Sequence, residues 1–214
     1  VALVAEKGNN ETYTESEKST VAVVAHKDNN ETDTFGGTLI GDRWVLTSGR
    51  GVLQSTTKHE VFFGDTNLST IFSCTPLNCR NATKVHVHES IDDLYDVAII
   101  EMEKPVVFSN KIRPVCLAKN TPPLNNEPSL TLLGWGLDMD EPDGNNMWLQ
   151  EKKMKFVDHA SCTKIVDTRA SEMQHGFDFS AAMRKRGNGA ICAQDTGGKG
   201  AACYGDSGGP LMIK

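Results

Sequence analysis

Near one end the chain reads CYGDSGGPL, Cys203–Leu211. A serine set between glycines, directly after an aspartate, suits an exposed nucleophile on a tight turn. Gly205 lets a backbone N–H point, beside the Ser207 N–H, at an oxyanion developing on a carbonyl. Gly208 and Gly209 keep the approach open. A serine hydroxyl attacks only weakly unless a neighbouring base accepts its proton. The competing reading is a glycine-rich turn with an incidental serine.

Such a turn must be held by rigid elements, and the chain offers many short β-type runs. They are Val21–Ala25, Thr38–Ile40, Trp44–Thr47, Glu60–Phe63, Lys84–His88, Val97–Met102, Leu130–Leu133 and Lys153–Val157. Most are rich in Val, Ile, Thr or aromatics and are bounded by Gly, Asn, Asp or Pro. Val97-Ala98-Ile99-Ile100 is an unbroken apolar run, the pattern of a strand buried on both faces. Only the segment after Asp158 reads as helical, with Asp158 as its cap. Many short strands with little helix predict an all-β fold, sandwich or barrel. Asn120–Glu127, with two prolines and three asparagines, reads as a linker between two lobes.

The chain has 214 residues, 38% hydrophobic and 23% charged, which fits a soluble globular protein with a real core. A net charge of −6 argues against nucleic-acid binding through a basic surface. No apolar run approaches membrane-spanning length, and no cofactor or metal motif is read. None of the spacings among the six cysteines reads as a zinc site, so disulfides are expected. Cys74 and Cys79, flanking Thr-Pro-Leu-Asn, are placed to close a small loop. Sequons at Asn10, Asn30, Asn67 and Asn81 support an oxidising, secretory compartment and an extracellular protein. The chain starts at Val1 with no signal peptide and reads as a mature form or a fragment. VALVAEKGNNETYTE (1–15) nearly reproduces VAVVAHKDNNETDTF (21–35). The second copy leads into the strand run around Trp44, so residues 1–20 are read as an extra N-terminal segment.

Several blocks, in order, resemble the trypsin-like (chymotrypsin-fold) serine protease family from residue 21 on. FGGTLIGDRWVLTSGRG (35–51) resembles the block carrying the catalytic histidine. DDLYDVAIIEM (92–102) resembles the block carrying the catalytic aspartate, here Asp96. IRPVCLA (112–118), LLGWG (132–136), AICA (190–193) and CYGDSGGPL complete the match. The resemblance implies two antiparallel β-barrels with the site in the cleft between them. Residues 21–118 form the first barrel, 119–127 the linker and 128–214 the second. The second barrel is read as incomplete, because the chain stops seven residues past Ser207. By the same resemblance Cys162 pairs with Cys192, Cys203 lacks its usual partner, and Cys116 takes the position that links covalently to an N-terminal segment. Asp206 holds the activation-terminus role, although Val1-Ala2-Leu3-Val4 lacks the expected glycines. Ala201 falls on the floor of the specificity pocket, where it offers no counter-charge for Lys or Arg, and Tyr204 sits at the mouth.

The departures decide the functional reading. Arg50 stands on the histidine position, and a guanidinium offers donors but no acceptor. The cysteines that tie the histidine loop in the family are both replaced, by Phe35 and Gly51. His86 and His88 match a non-catalytic stretch, and His26, His59, His159 and His175 match no triad role. Arg50 is therefore expected to pair with Asp96, or at least to lie within a few ångströms of it, and to hold the loop in place of the lost disulfide. Two functions follow. One is a secreted pseudoprotease whose partners are protein ligands or cascade proteases. The other is a serine endopeptidase whose sequence is partial or mis-assembled, a reading kept by intact Asp96, Gly205, Asp206 and Ser207.

Overall fold

A computed structural model describes residues 3–6, 15–53, 57–71, 73–91, 95–117, 130–137, 147–172, 190–197 and 202–213. Its first layer is a closed barrel of six strands in the order β2-β3-β4-β7-β6-β5. These are β2 (Thr20–His26), β3 (Thr32–Leu39), β4 (Trp44–Thr47), β5 (Lys58–Phe62), β6 (Cys79–Val87) and β7 (Ala98–Met102). All neighbours pair antiparallel. Val21, Val23, Leu39, Val45, Val61 and Ile100 fill the interior.

The strand buried on both faces is β2. Its Val21, Val23 and Ala25 point into the barrel. Its Ala22 and Val24 pack outside, with Phe62, Leu68, Cys79 and Trp135. Trp135 follows a strand of the other sheet, so β2 lies under both layers. The run at 97–100 behaves differently from its sequence expectation. Ala98, Ile100 and Met102 are buried, whereas Ile99 and Glu101 are only partly covered. The outer face of β7 therefore alternates, because only its inner face meets a core.

The β2–β3 turn is closed by Lys27 N–H donating to Glu31 O (2.9 Å) and Glu31 N–H donating to Asn29 Oδ1 (3.1 Å). Asn30 takes a φ of 63°, a left-handed conformation that asparagine tolerates.

The second layer is an open six-stranded sheet in the order β11-β10-β9-β12-β1-β8. It comprises β1 (Leu3–Glu6), β8 (Cys116–Leu117), β9 (Leu130–Gly134), β10 (Gln150–Val157), β11 (Cys192–Asp195) and β12 (Pro210–Ile213). Leu130, Met154, Leu211 and Ile213 form its core. The segment read as extra contributes to this sheet, since β1 runs parallel to β12 and antiparallel to β8. β1 of the first copy and β2 of the second thus lie in different layers.

Four short helices complete the described residues: α1 (Glu15–Ser19), α2 (Gly49–Leu53), α3 (Leu68–Ile71) and α4 (His159–Glu172). Asp158 caps α4, its Oδ1 accepting from Ser161 N–H at 3.0 Å. Disulfides join Cys162 to Cys192 and Cys74 to Cys79, while Cys116 and Cys203 are free. The linker at Asn120–Glu127 lies outside the described residues. No described helix is long and apolar enough to cross a membrane.

Candidate functional site

The first half of the site grows from the end of β4. Ser48 follows Thr47 and opens α2, whose first N–H groups have no partner within the helix. Ser48 and Asp96 divide that task. Ser48 Oγ accepts from Gly51 N–H (3.3 Å), and Asp96 Oδ1 accepts from Arg50 N–H (2.7 Å). The Ser48 hydroxyl in turn donates to Asp96 Oδ1 at 3.0 Å. The carboxylate therefore anchors the helix start through two donors.

The expectation for Arg50 is a pairing with Asp96, or at least a place within a few ångströms of it, and the contact seen is made by the main chain. Arg50 meets Asp96 through its main chain, and the residue itself is exposed. A carboxylate placed over a helix start is satisfied by orphan N–H groups. Ser48 is the residue that sequence reasoning missed. Its signal was present, because a serine directly before a turn of helix is a favoured cap.

The expected replacement for the lost disulfide also changes. A side chain built at Gly51 would meet the Phe35 ring at 3.0 Å, so the ring lies directly against that glycine. Phe35 is buried. The two positions implied for the bridge do face each other, and an aromatic ring filling the space above a glycine now holds them. The contact between these two positions is one of packing.

The second half is the turn Cys203–Gly209, whose frame is Asp206. Its Oδ1 accepts from Gly136 N–H (2.8 Å) and its Oδ2 from Cys203 N–H (2.9 Å). Gly205 and Gly208 take φ values of +99° and +83°, where side chains are strained. Gly36 N–H donates to Ser207 O at 2.9 Å, tying the turn to β3 of the barrel. A Cβ on Gly208 would lie 2.5 Å from both Gly36 O and Thr47 Oγ1 and 2.7 Å from Ser48 N. The exposed Ser207 is thus carried on backbone packed directly against the start of α2.

No described histidine hydrogen-bonds Asp96 or Ser207. The His59 ring donates from Nε2 to Val52 O (3.1 Å), and burial, outweighing that bond, holds its pKa below the ordinary histidine value. His26 meets Glu60 at 2.7 Å, and His88 stacks on Tyr95 with ring centroids 4.9 Å apart. Tyr204 is exposed, and its carbonyl accepts from Leu137 N–H at 2.9 Å. Ala201 and Asn10 lie outside the described residues. Asn30 sits on an exposed turn. Asn67 Oδ1 accepts from Ser69 N–H (2.9 Å), and Asn81 lies within β6 with Nδ2 3.4 Å from Glu103 Oε1. Among the described residues, one group carries metal-ligating atoms close together: Glu60, Cys74 and Cys79.

Comparison with known proteins places this geometry. A family model described as Trypsin matches residues 7–214. The chain is 28% identical over 132 residues to Trypsin 5G1 of Aedes aegypti, a match covering 60% of this chain and 47% of that protein. It is 35% identical over 134 residues to the Clotting factor G beta subunit of Tachypleus tridentatus, covering 60% and 40%. It is 31% identical over 138 residues to Transmembrane protease serine 11G of Rattus norvegicus, covering 61% and 31%. The matched stretch thus spans less than half of each of these relatives. A solved structure described as "Structure of GrC" superposes with a TM-score of 0.69 at 23% identity, covering 99% of this chain and 84% of that one.

Proposed function

The chain belongs to the trypsin family of serine proteases, and from that premise we propose that it is a catalytically inactive member. In this reading it acts outside the cell, binding protein partners or regulating a proteolytic cascade. The observation that carries the proposal is Arg50 in the first turn of α2, beside Asp96. In the family's chemistry a histidine at that point takes the Ser207 proton and the aspartate orients it. Arginine has no lone pair to receive a proton. Asp96 caps α2 instead, and Ser207 stays a protonated, weak nucleophile. Losing the base in an analogous hydrolase costs about 10⁶ in turnover, roughly 8 kcal/mol of transition-state stabilisation. The cascade setting draws support from the clotting-factor relative.

One observation favours the other reading, a working endopeptidase. The serine turn keeps two left-handed glycines and a fully engaged Asp206, features that hydrolysis needs and mere binding does not. Ester and peptide turnover by the purified chain separates the two. The proposal expects none above a Ser207→Ala variant. Turnover that Ser207→Ala abolishes would overturn it.

A further inference from the structure

The corner where β2, β5 and β6 meet holds a donor set that the serine chemistry does not use. Glu60 opposes Asn81 and Phe62 opposes Cys79 across β5 and β6, so Glu60 and Cys79 share a face, two positions apart along the ladder. A Glu60 carboxylate oxygen and the sulfurs of Cys74 and Cys79 all lie within 4.8 Å of one another. From β2, His26 Nε2 comes within 2.7 Å of Glu60 Oε2. Two sulfurs and one carboxylate are ligand types zinc takes with a fourth position left to water, and His26 orients the carboxylate from outside.

In the present structure the two sulfurs are bonded to each other, with Cα atoms 5.2 Å apart. Cys74 is exposed, so a reductant can reach the bond, whereas Cys79 is 3% exposed and stays anchored against the barrel. We propose that reducing Cys74–Cys79 converts this corner into a zinc site with Cys74, Cys79 and Glu60 as ligands, His26 holding the carboxylate from outside.

The chemistry balances simply. Two equivalents of a small thiol reductant each give up one electron and one proton, leaving two cysteine thiols and the reductant's own disulfide. Zinc binding then displaces one proton from each thiol. A tetrahedral site with Zn–S near about 2.3 Å and Zn–N or Zn–O near about 2.1 Å sets its donor atoms about 3.3–3.8 Å apart. Breaking the sulfur–sulfur bond frees the two sulfurs to separate to that spacing.

The four residues between Cys74 and Cys79 fall within the usual range for a zinc-binding cysteine pair. Read along the chain, the pair has no second half, because its third donor comes from β5. Lys58 Nζ, 2.6 Å from Glu60 Oε1, competes with the metal for the carboxylate, and its exposed side chain can swing to water when the metal arrives.

The test uses the full chain with Cys116→Ser, Cys203→Ser, Cys162→Ala and Cys192→Ala, so that reduction exposes no thiols besides Cys74 and Cys79, and Co²⁺ as an optical probe for zinc. After reduction, one equivalent of Co²⁺ should bind with a sulfur-to-metal charge-transfer band. The unreduced protein should show none. Adding Cys74→Ser should abolish the band, and Glu60→Gln should weaken binding at least about tenfold. Glu60→Gln keeps the hydrogen-bonding shape of the site, so it serves if Cys74→Ser perturbs folding. No band after reduction, a band that survives Cys74→Ser, or unchanged affinity in Glu60→Gln would each overturn the proposal.

Discussion

The serine turn and the α2 turn face each other across the two layers, and they are held by different means. Cys203–Gly209 is fixed by backbone: Asp206 takes two main-chain donors, and Gly208 fits against Gly36 and Ser48 with no room for a methyl group. The α2 turn is fixed by side chains: Asp96 and Ser48 cap it, and Phe35 packs on Gly51. A turn built from backbone and glycines has little freedom to change without losing the fold. A turn held by side chains can exchange its reactive residue while its supports stay in place. Arg50 occupies such a position: its main chain makes the contact with Asp96.

The sharpest way to break this contrast is at Gly208. Alanine there adds left-handed strand strain to contacts of 2.5–2.7 Å with two backbone atoms and the Thr47 hydroxyl. We expect a loss of about 3–5 kcal/mol, read as a shift in the denaturant midpoint. A midpoint within error of the parent would show that the two layers do not meet as closely as described. Next comes Phe35→Ala, which empties the space above Gly51 and should cost about 3 kcal/mol. If it costs less than 1, the ring is not what replaced the bridge.

Asp96→Ala should cost about 2 kcal/mol, because a partly covered carboxylate and two donors lose each other. Ser48→Ala on top of it should add little, since both residues serve the same helix start. Strict additivity in that double-mutant cycle would refute the shared cap. The smallest effect belongs to Arg50→Ala, expected within about 1 kcal/mol of the parent, because alanine keeps the N–H that meets Asp96. A larger loss would return the guanidinium to a structural role.

These details mark what was legible in the chain. Trp44–Thr47 and the Asp158 cap could be read locally, because strand composition and capping chemistry are short-range. The copy at 1–15 could not be placed. Its Val-Ala-x-Val-Ala run suits a strand anywhere, and only pairing with distant Pro210–Ile213 assigns it to the open sheet. The copies diverge where the barrel is least tolerant: Glu15 stands against buried Phe35 and Ser16 against Gly36. Gly36 lies where a Cβ would meet Gly209 N at 2.6 Å, so copy one cannot serve as β3. In the site, the identity of Arg50 was plain from the sequence, but its partner was not. Main-chain donors carry no signature in residue type, and a charge pair is the more obvious guess for an arginine near an aspartate.

The central claim is that Ser207, on a well-formed turn, lacks a base. A fluorophosphonate probe tests it most directly, since covalent labelling needs an activated serine and no substrate preference. Intact-mass analysis of the purified chain should show no adduct beyond that of a Ser207→Ala variant. Rapid, stoichiometric labelling at Ser207 would contradict the account.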